Sequence, residues 1–341
     1  MPIRVHPWLP FSRCSPLVLT SRCAAAKPFA MPTQPPCLIE AVLSRRAFIQ
    51  QGTLVLGAAA FGSTLRPGLA ALPPPALRFG LLTDVHYADL PSTKTRCYRE
   101  SLEKTRTAVA EFNAAKADFA VELGDLIDAA PTVAGEIGHL KTIDAEYAKF
   151  SGDRFYVLGN HCVWSLTKQQ FMENTGMKQA HYAFDRAGFH FVVLDGCYRG
   201  DGVAYGAKNF QWNDADLPPG EQDWLRADLR ATTKPVIVFI HQRLDTTDHY
   251  ALKSAAAVRK LLEAHGGVLA VFQGQHHRND LKEINGIHYC TLAALVDGSG
   301  ADNNAYSVVG LCADGTVTVQ GFCKHKAYTW AKAQPAPALQ S

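Results

Sequence analysis

From residue 77 onward the chain alternates short apolar runs with longer amphipathic stretches. Leu77–Thr83, Phe119–Leu123, Phe155–Leu158, Val236–Ile240 and Val268–Phe272 are rich in branched and aromatic side chains, with a single charge in each of the first two, Arg78 and Glu122. Runs of this length read as buried strands. Between the first two, Tyr98–Ala115 places Leu102, Val109 and Phe112 among charged residues, the spacing of an amphipathic helix. Ala134–Phe150, Glu221–Ala231 and Leu252–His265 repeat that pattern. The last third changes character. Ile287–Leu292, Tyr306–Leu311 and Thr316–Phe322 read as strands with no helix between them, and Ala313-Asp314-Gly315 reads as a hairpin turn. Strand–helix units followed by a meander predict an α/β fold with two mixed sheets packed together and helices outside. The expected architecture is a four-layer α-β-β-α sandwich over residues 76–326, followed by an Ala/Pro-rich loose tail, 327–341.

Asp195–Gly220 interrupts the alternation with a long Gly/Asn/Asp-rich stretch through which Tyr198, Arg199, Tyr205, Phe210 and Trp212 are dispersed. Structureless loops of this length are uncommon inside compact domains unless they have a function. The aromatics argue against plain disorder. A lid facing a substrate is the expectation, with Tyr87, Arg199, Tyr205 and Trp212 as candidate substrate contacts.

The first seventy residues do not read as part of that domain. Ser44-Arg45-Arg46-Ala47-Phe48 precedes Gly52–Leu65, an uncharged apolar run, and Gly68-Leu69-Ala70 supplies small residues at a cleavage spacing. Residues 44–70 thus resemble a twin-arginine export signal, which implies the Tat machinery as a partner and a periplasmic or secreted product. The run falls short of the roughly 18–20 apolar residues that span a bilayer. No Cys follows it, so neither a membrane span nor a lipid anchor is expected. Residues 1–43 form an N-terminal extension without periodicity, and a start at Met31 would give a signal of ordinary length.

Removing 1–70 reverses the sign of the charge. The whole chain has 34 basic and 31 acidic side chains, net +3; seven basic residues and one acidic residue lie before residue 71, leaving net −3. A slightly acidic domain lacks the basic footprint of a nucleic-acid binder. Six cysteines remain (Cys97, Cys162, Cys197, Cys290, Cys312 and Cys323) with no C-x-x-C pair. Thiolate zinc sites and dithiol redox chemistry are therefore not expected; buried thiols are.

The chemistry lies where the strands end. The first five apolar runs stop, in turn, at Asp84 and His86, at Asp125, at Asn160 and His161, at His241, and at Gln275, His276 and His277. In open α/β sheets the ligand crevice lies beyond the carboxyl ends of the strands. Carboxylate, amide and imidazole groups together suit manganese, iron or zinc, and they are numerous enough for a two-metal hydrolytic site.

The order D-x-H (Asp84, His86), G-D-x-x-D (Gly124, Asp125, Asp128), G-N-H (Gly159, Asn160, His161), H (His241) and a glycine-led His pair (Gly274 to His277) resembles the calcineurin-like metallophosphoesterases across about residues 77–325. Tyr87-Ala88-Asp89, with Arg96-Cys97-Tyr98-Arg99-Glu100-Ser101-Leu102, is similar to their manganese-dependent ADP-ribose/CDP-alcohol diphosphatase branch. The resemblance implies two divalent cations per chain. Asp84, His86 and His277 would hold one, Asn160 and His241 the other, and Asp125 would bridge them. Two such cations acidify a bridging water and clamp the attacking and leaving oxygens. His161 would serve the leaving oxygen, and Asp128 would support from outside the ligand set.

Two positions depart from the family pattern. Gln275 stands where a second-metal His is usual, and a neutral carbonyl oxygen binds transition metals less strongly than imidazole. His276 is adjacent but would point away if the segment were extended. Cys162 replaces an acid that would orient a neighbouring His. The leading expectation is an exported phosphohydrolase acting on a small phosphorylated substrate. The alternative is a metal-binding pseudo-phosphoesterase that lost turnover through Gln275. A nuclease is disfavoured by the acidic charge.

Overall fold

The computed structural model describes residues 74–331. The extension 1–43, the proposed signal 44–70 and residues 332–341 lie outside the described residues. In strand β1 (Leu77–Leu82) alternate side chains take opposite directions, as a pleated strand requires. Leu77, Phe79 and Leu81 enter one apolar core and Leu82 another. The same split occurs in β2 (Phe119–Glu122), where Phe119 and Val121 oppose Ala120. Strands buried on both faces read as continuous apolar runs.

After β3 (Asp153–Tyr156) come β4 (Tyr182–Arg186), β5 (Phe189–Val193), and the two-residue strands β6 (Tyr198–Arg199) and β7 (Ala215–Asp216). Then follow β8 (Val236–Phe239), β9 (Val268–Gln273), β10 (Asp280–Ile284), β11 (Ile287–Thr291), β12 (Ala305–Leu311), β13 (Val317–Cys323) and β14 (Tyr328–Trp330). One six-stranded sheet has the order β14-β13-β12-β1-β2-β3, the other β10-β11-β9-β8-β5-β4, and β6 pairs with β7. In the first sheet β1, β2 and β3 run parallel, and β12, β13 and β14 continue antiparallel beyond β1; in the second the centre is parallel and both edges are antiparallel. Between the sheets, Phe79 of the first stacks on Phe119 at 5.0 Å and meets Phe191, Phe239 and Phe272 of the second edge-on at 5.6–6.0 Å.

Helices α1 (Ser101–Ala114), α2 (Val133–Tyr147) and α3 (Lys168–Thr175) lie with the first sheet, and α4 (Pro219–Ala231) and α5 (Ala255–His265) with the second. Local chemistry sets their ends. Thr132 caps α2 by accepting from the Gly135 N–H, Thr167 and Gln170 form a reciprocal capping box on α3, and α4 starts with Pro219. The four-layer α-β-β-α arrangement is the one expected. Among the described residues no helix is long and apolar enough to cross a membrane.

Three details differ from expectation. Residues 328–330 do not belong to a loose tail, because Tyr328–Trp330 pairs with β13 and the buried Trp330 ring lies 4.8 Å from His288. Asp195–Gly220 is not a bare lid: β6 and β7 tie it together, and its end becomes the first turn of α4. Strands β4, β5 and β10 and helix α3 are additional to the elements expected from sequence. Both missed hairpins carry turn signals, Ala187-Gly188 and Asn285-Gly286, with positive φ at both residues. Strand β10 reads Asp-Leu-Lys-Glu-Ile, the polar sequence of a solvated edge.

Candidate metal centre

The expected ligands converge from the carboxyl ends of both sheets. Asp84 and His86 follow β1, Asp125 follows β2, Asn160 follows β3, His241 follows β8, and Gln275 and His277 follow β9. Leaving a strand abruptly while aiming a side chain back over its end strains the backbone. Asp84, His86, Asp125, Gln275 and His277 all have left-handed φ, between 44° and 66°. Non-glycine residues adopt that conformation rarely, and clusters of them mark functional sites. Two glycines leave room for the ligands. A Cβ on Gly159 would collide with the Asp125 carboxylate, and one on Gly274 would collide with Thr83 Oγ1 and lie 2.8 Å from Asp84 Oδ2.

Each histidine turns Nδ1 towards an outer acceptor, and all but His86 hydrogen-bond through it. His241 Nδ1 donates to the Leu123 carbonyl at 2.8 Å, and His277 Nδ1 to Asp297 Oδ2 at 3.0 Å. The two oxygens of Asp128 meet His86 Nδ1 at 3.2 Å and His161 Nδ1 at 3.1 Å. With Nδ1 held, Nε2 is the atom offered to the centre, the usual way a protein orients a ligating imidazole. His86 Nε2 lies 3.3 Å from His277 Nε2, 3.5 Å from Asp125 Oδ2 and 3.8 Å from Asp84 Oδ1. His277 Nε2 is 3.3 Å from Asp84 Oδ1, and His241 Nε2 is 3.2 Å from Asp125 Oδ2.

Asp84 Oδ1, Asn160 Oδ1, His241 Nε2 and Gln275 Oε1 are buried with no hydrogen-bond partner. Buried polar atoms are seldom left so. Four such orphaned atoms at neighbouring strand ends, with Asp84/His86/His277 and Asp84/Asp125/His241 each placing ligand atoms within 4.8 Å of one another and Asn160 and Gln275 lining the same cleft, fit divalent cations. Their electrostatics agree. Burial by itself would raise the Asp84 and Asp125 carboxyls, yet the surrounding histidines hold both below the ordinary range. Burial opposes protonation of His241 and His277, but Asp125, Asp84 and Asp297 push His241 up to about 9 and His277 to about 10. The site has a deficit of positive charge.

Asp128 stands outside the ligand ring, holding His86 and His161 and accepting from Arg96 Nη1 at 2.8 Å. Cys162 does not sit beside the centre. Its side chain belongs to the apolar core, and burial pushes its thiol up; Asp128, from another strand end, orients His161 instead. Of the candidate substrate contacts, Trp212 lines the cleft of about 570 Å³ that opens over the centre. Tyr205 does not: it is buried, with its hydroxyl donating to the Gln211 carbonyl at 2.9 Å. Arg199 pairs with Asp201, and Tyr87 packs edge-on against His139 at 6.0 Å; neither lines that cleft. The segment after Gly274 is not extended, so His276 faces the cleft as well. Sequence reading missed Asp297, Tyr250 and Arg278. Only Asp297 carried a signal, an acid closing the apolar run Ala293–Val296.

No family model matches the chain. Over 132 residues it is 30% identical to a manganese-dependent ADP-ribose/CDP-alcohol diphosphatase of Oryza sativa subsp. japonica, covering 36% of this chain and 41% of that protein. The chain thus spans about two fifths of the length of the curated relatives it matches. A dimetal phosphatase from Danio rerio shares the fold, with TM-score 0.68 and 22% identity over 76% of this chain and 100% of the other. GAP50, the anchor in the inner membrane complex of Plasmodium, superimposes with TM-score 0.51 and 15% identity over 77% of this chain and 90% of the other. A fold that serves both a phosphatase and an anchor does not decide activity; the site must.

Proposed function

We propose that this chain is a metal-dependent phosphohydrolase that cleaves a phosphoester or pyrophosphate bond of a small substrate. The observation that carries this reading is a set of four orphaned buried lone pairs, those of Asp84 and His241 inside a cluster of carboxylates and imidazoles and those of Asn160 and Gln275 on residues that line one cleft with Asp125 and His277. Asp84, His86 and His277 would hold one divalent cation, Asn160, His241 and Gln275 a second, and Asp125 would be shared. Such a pair, when bound, lowers the pKa of water and neutralises charge on phosphoryl oxygens. The chain's own part is positional. Asp128 fixes His161 through Nδ1, so that Nε2 exchanges a proton with the leaving oxygen. The name of the rice relative supports manganese and nucleoside-diphosphate substrates; iron and zinc suit the same donors.

The test is metal analysis of the purified protein coupled to turnover of p-nitrophenyl phosphate, its diester analogue and CDP-choline. Two cations per chain with metal-dependent hydrolysis support the enzyme. One cation and no turnover on any of the three would leave the pseudo-phosphoesterase as the better reading.

Export in folded form is the second part of the proposal, and Arg45-Arg46 before the uncharged run supports it. Arg45→Lys with Arg46→Lys is expected to leave precursor in the cytoplasm. Normal delivery of that double variant to the periplasm would refute Tat export.

A further inference from the structure

Arg243 is a buried cation behind the cleft-lining His276 and is not among the candidate metal ligands. Its Nε and Nη2 donate to the two oxygens of Asp245 at 2.9 and 2.6 Å, and Nη2 also reaches Asp280 Oδ2 at 2.6 Å. The remaining nitrogen, Nη1, lies 3.2 Å from His276 Nδ1. A guanidinium has no acceptor atom. His276 Nδ1 must therefore accept, and the ring's single proton sits on Nε2. The tautomer is set by a side chain that is itself locked by two carboxylates.

The other side of the ring faces the cleft. Tyr250 packs across it with ring centroids 4.7 Å apart, and no described residue accepts a hydrogen bond from Nε2. A donor of fixed direction thus stands beside the metal ligands Gln275 and His277. It is not positioned as a ligand, because a protonated Nε2 has no lone pair to offer.

We propose that His276 Nε2–H binds an oxygen of a second phosphoryl group, the one next to the phosphorus under attack, and that Arg243 is the residue that positions it. This rests on the phosphohydrolase reading above and makes His276 a determinant of preference for diphosphates over monoesters. A cleft of about 570 Å³ has room for more than one phosphoryl group. Two arginines also line the cleft: Arg96, already engaged by Asp128, and Arg278, exposed at its rim. A hydrogen bond to a charged oxygen in a partly enclosed site is the class of interaction whose loss costs roughly tenfold to a hundredfold in affinity.

The experiment uses manganese-loaded protein and two ligands that cannot be hydrolysed, methylenediphosphonate and methylphosphonate, with binding read by calorimetry. His276→Ala should weaken the bisphosphonate by about tenfold or more and change methylphosphonate less than about twofold. His276→Gln, whose amide can place a donor near the position of Nε2, should recover most of the loss. Arg243→Met should reproduce part of it if the protein folds; the two His276 variants decide the matter without it. Equal weakening of both ligands in His276→Ala, or none for the bisphosphonate, overturns the proposal. A parallel measurement of kcat/KM on CDP-choline separates the two readings. Wild type that binds both ligands but hydrolyses nothing removes the phosphohydrolase reading and leaves the binding assignment to stand or fall on calorimetry.

Discussion

Asp125 is the residue on which most of the centre depends. Its Oδ2 faces His86 and His241, while Oδ1 accepts from the His161 N–H at 2.7 Å. Asp125→Asn removes a negative charge that both cations would share, so metal binding and activity should collapse together. His161→Ala removes only the ring held by Asp128. It should keep both metals and lower turnover by something like 10²–10⁴-fold. Metal loss in that variant, seen by elemental analysis, would mean that His161 is a ligand. Gln275 separates the enzyme from its alternative at the same scale. Gln275→His should tighten the second cation by about 10–100-fold and Gln275→Ala should loosen it, the first site being spared. Identical second-site affinity in all three proteins, read by metal titration, would remove Gln275 from the ligand set. These ligands were legible in sequence because each follows an apolar run directly. The misplaced residues failed for a physical reason. Tyr205 and Cys162 were judged by neighbours along the chain, and neither side chain faces the way that sequence position suggested.

At the scale of elements, the segment 294–298 deserves its own test. Its backbone joins the end of β1: Leu295 and Val296 donate to the Thr83 and Asp84 carbonyls, each at 3.1 Å. Two lysines hold it from the other side. Lys104 Nζ donates to the Leu295 and Gly298 carbonyls at 3.0 and 2.5 Å, and Lys324 Nζ to the Ala294 carbonyl at 2.8 Å and to that of Asp297. Asp297, so held, fixes His277. Asp297→Asn keeps the shape but weakens the bond to Nδ1, and should loosen the first cation by about 10–100-fold while leaving the second unchanged. Metal titration showing both sites unchanged would mean that His277 is oriented otherwise. Beyond an acid closing the apolar run Ala293–Val296, nothing local announces this segment, since its partners come from β1, α1 and the end of β13.

For the whole molecule, pH is the informative variable. His325 is buried, with Nε2 donating to the Ala293 carbonyl at 2.9 Å and Nδ1 accepting from Ser307 at 2.8 Å. Burial pushes its imidazole down to about 4. The unfolded chain takes up that proton near 6.5, so between roughly pH 6.5 and 4 the unfolded state binds more protons. Stability is lost as pH falls through this window. The contribution is on the order of 3 kcal/mol across the whole window. His325→Gln should flatten the pH dependence of denaturant midpoints there relative to wild type. Parallel curves for the two proteins would show that His325 is protonated in the folded state or reached by water.

The sequence by itself determined the layers and the ligand types. Strands covered on both faces are written as apolar runs, and a metal ligand must stand where such a strand stops. It also determined the charge of residues 71–341, because charge is a sum over residues and needs no geometry. Tertiary structure decided which ligands share a point, which way each imidazole faces, and which outer residue holds it. Those relations join chain positions far apart, such as Asp297 with His277, Arg243 with His276, and Asp128 with His86 and His161. Strained left-handed backbone at the strand ends was equally invisible in sequence. Asp, His and Gln adopt it here because packing of the two sheets and the bonds around the site leave them no other conformation, and no local propensity foretells that.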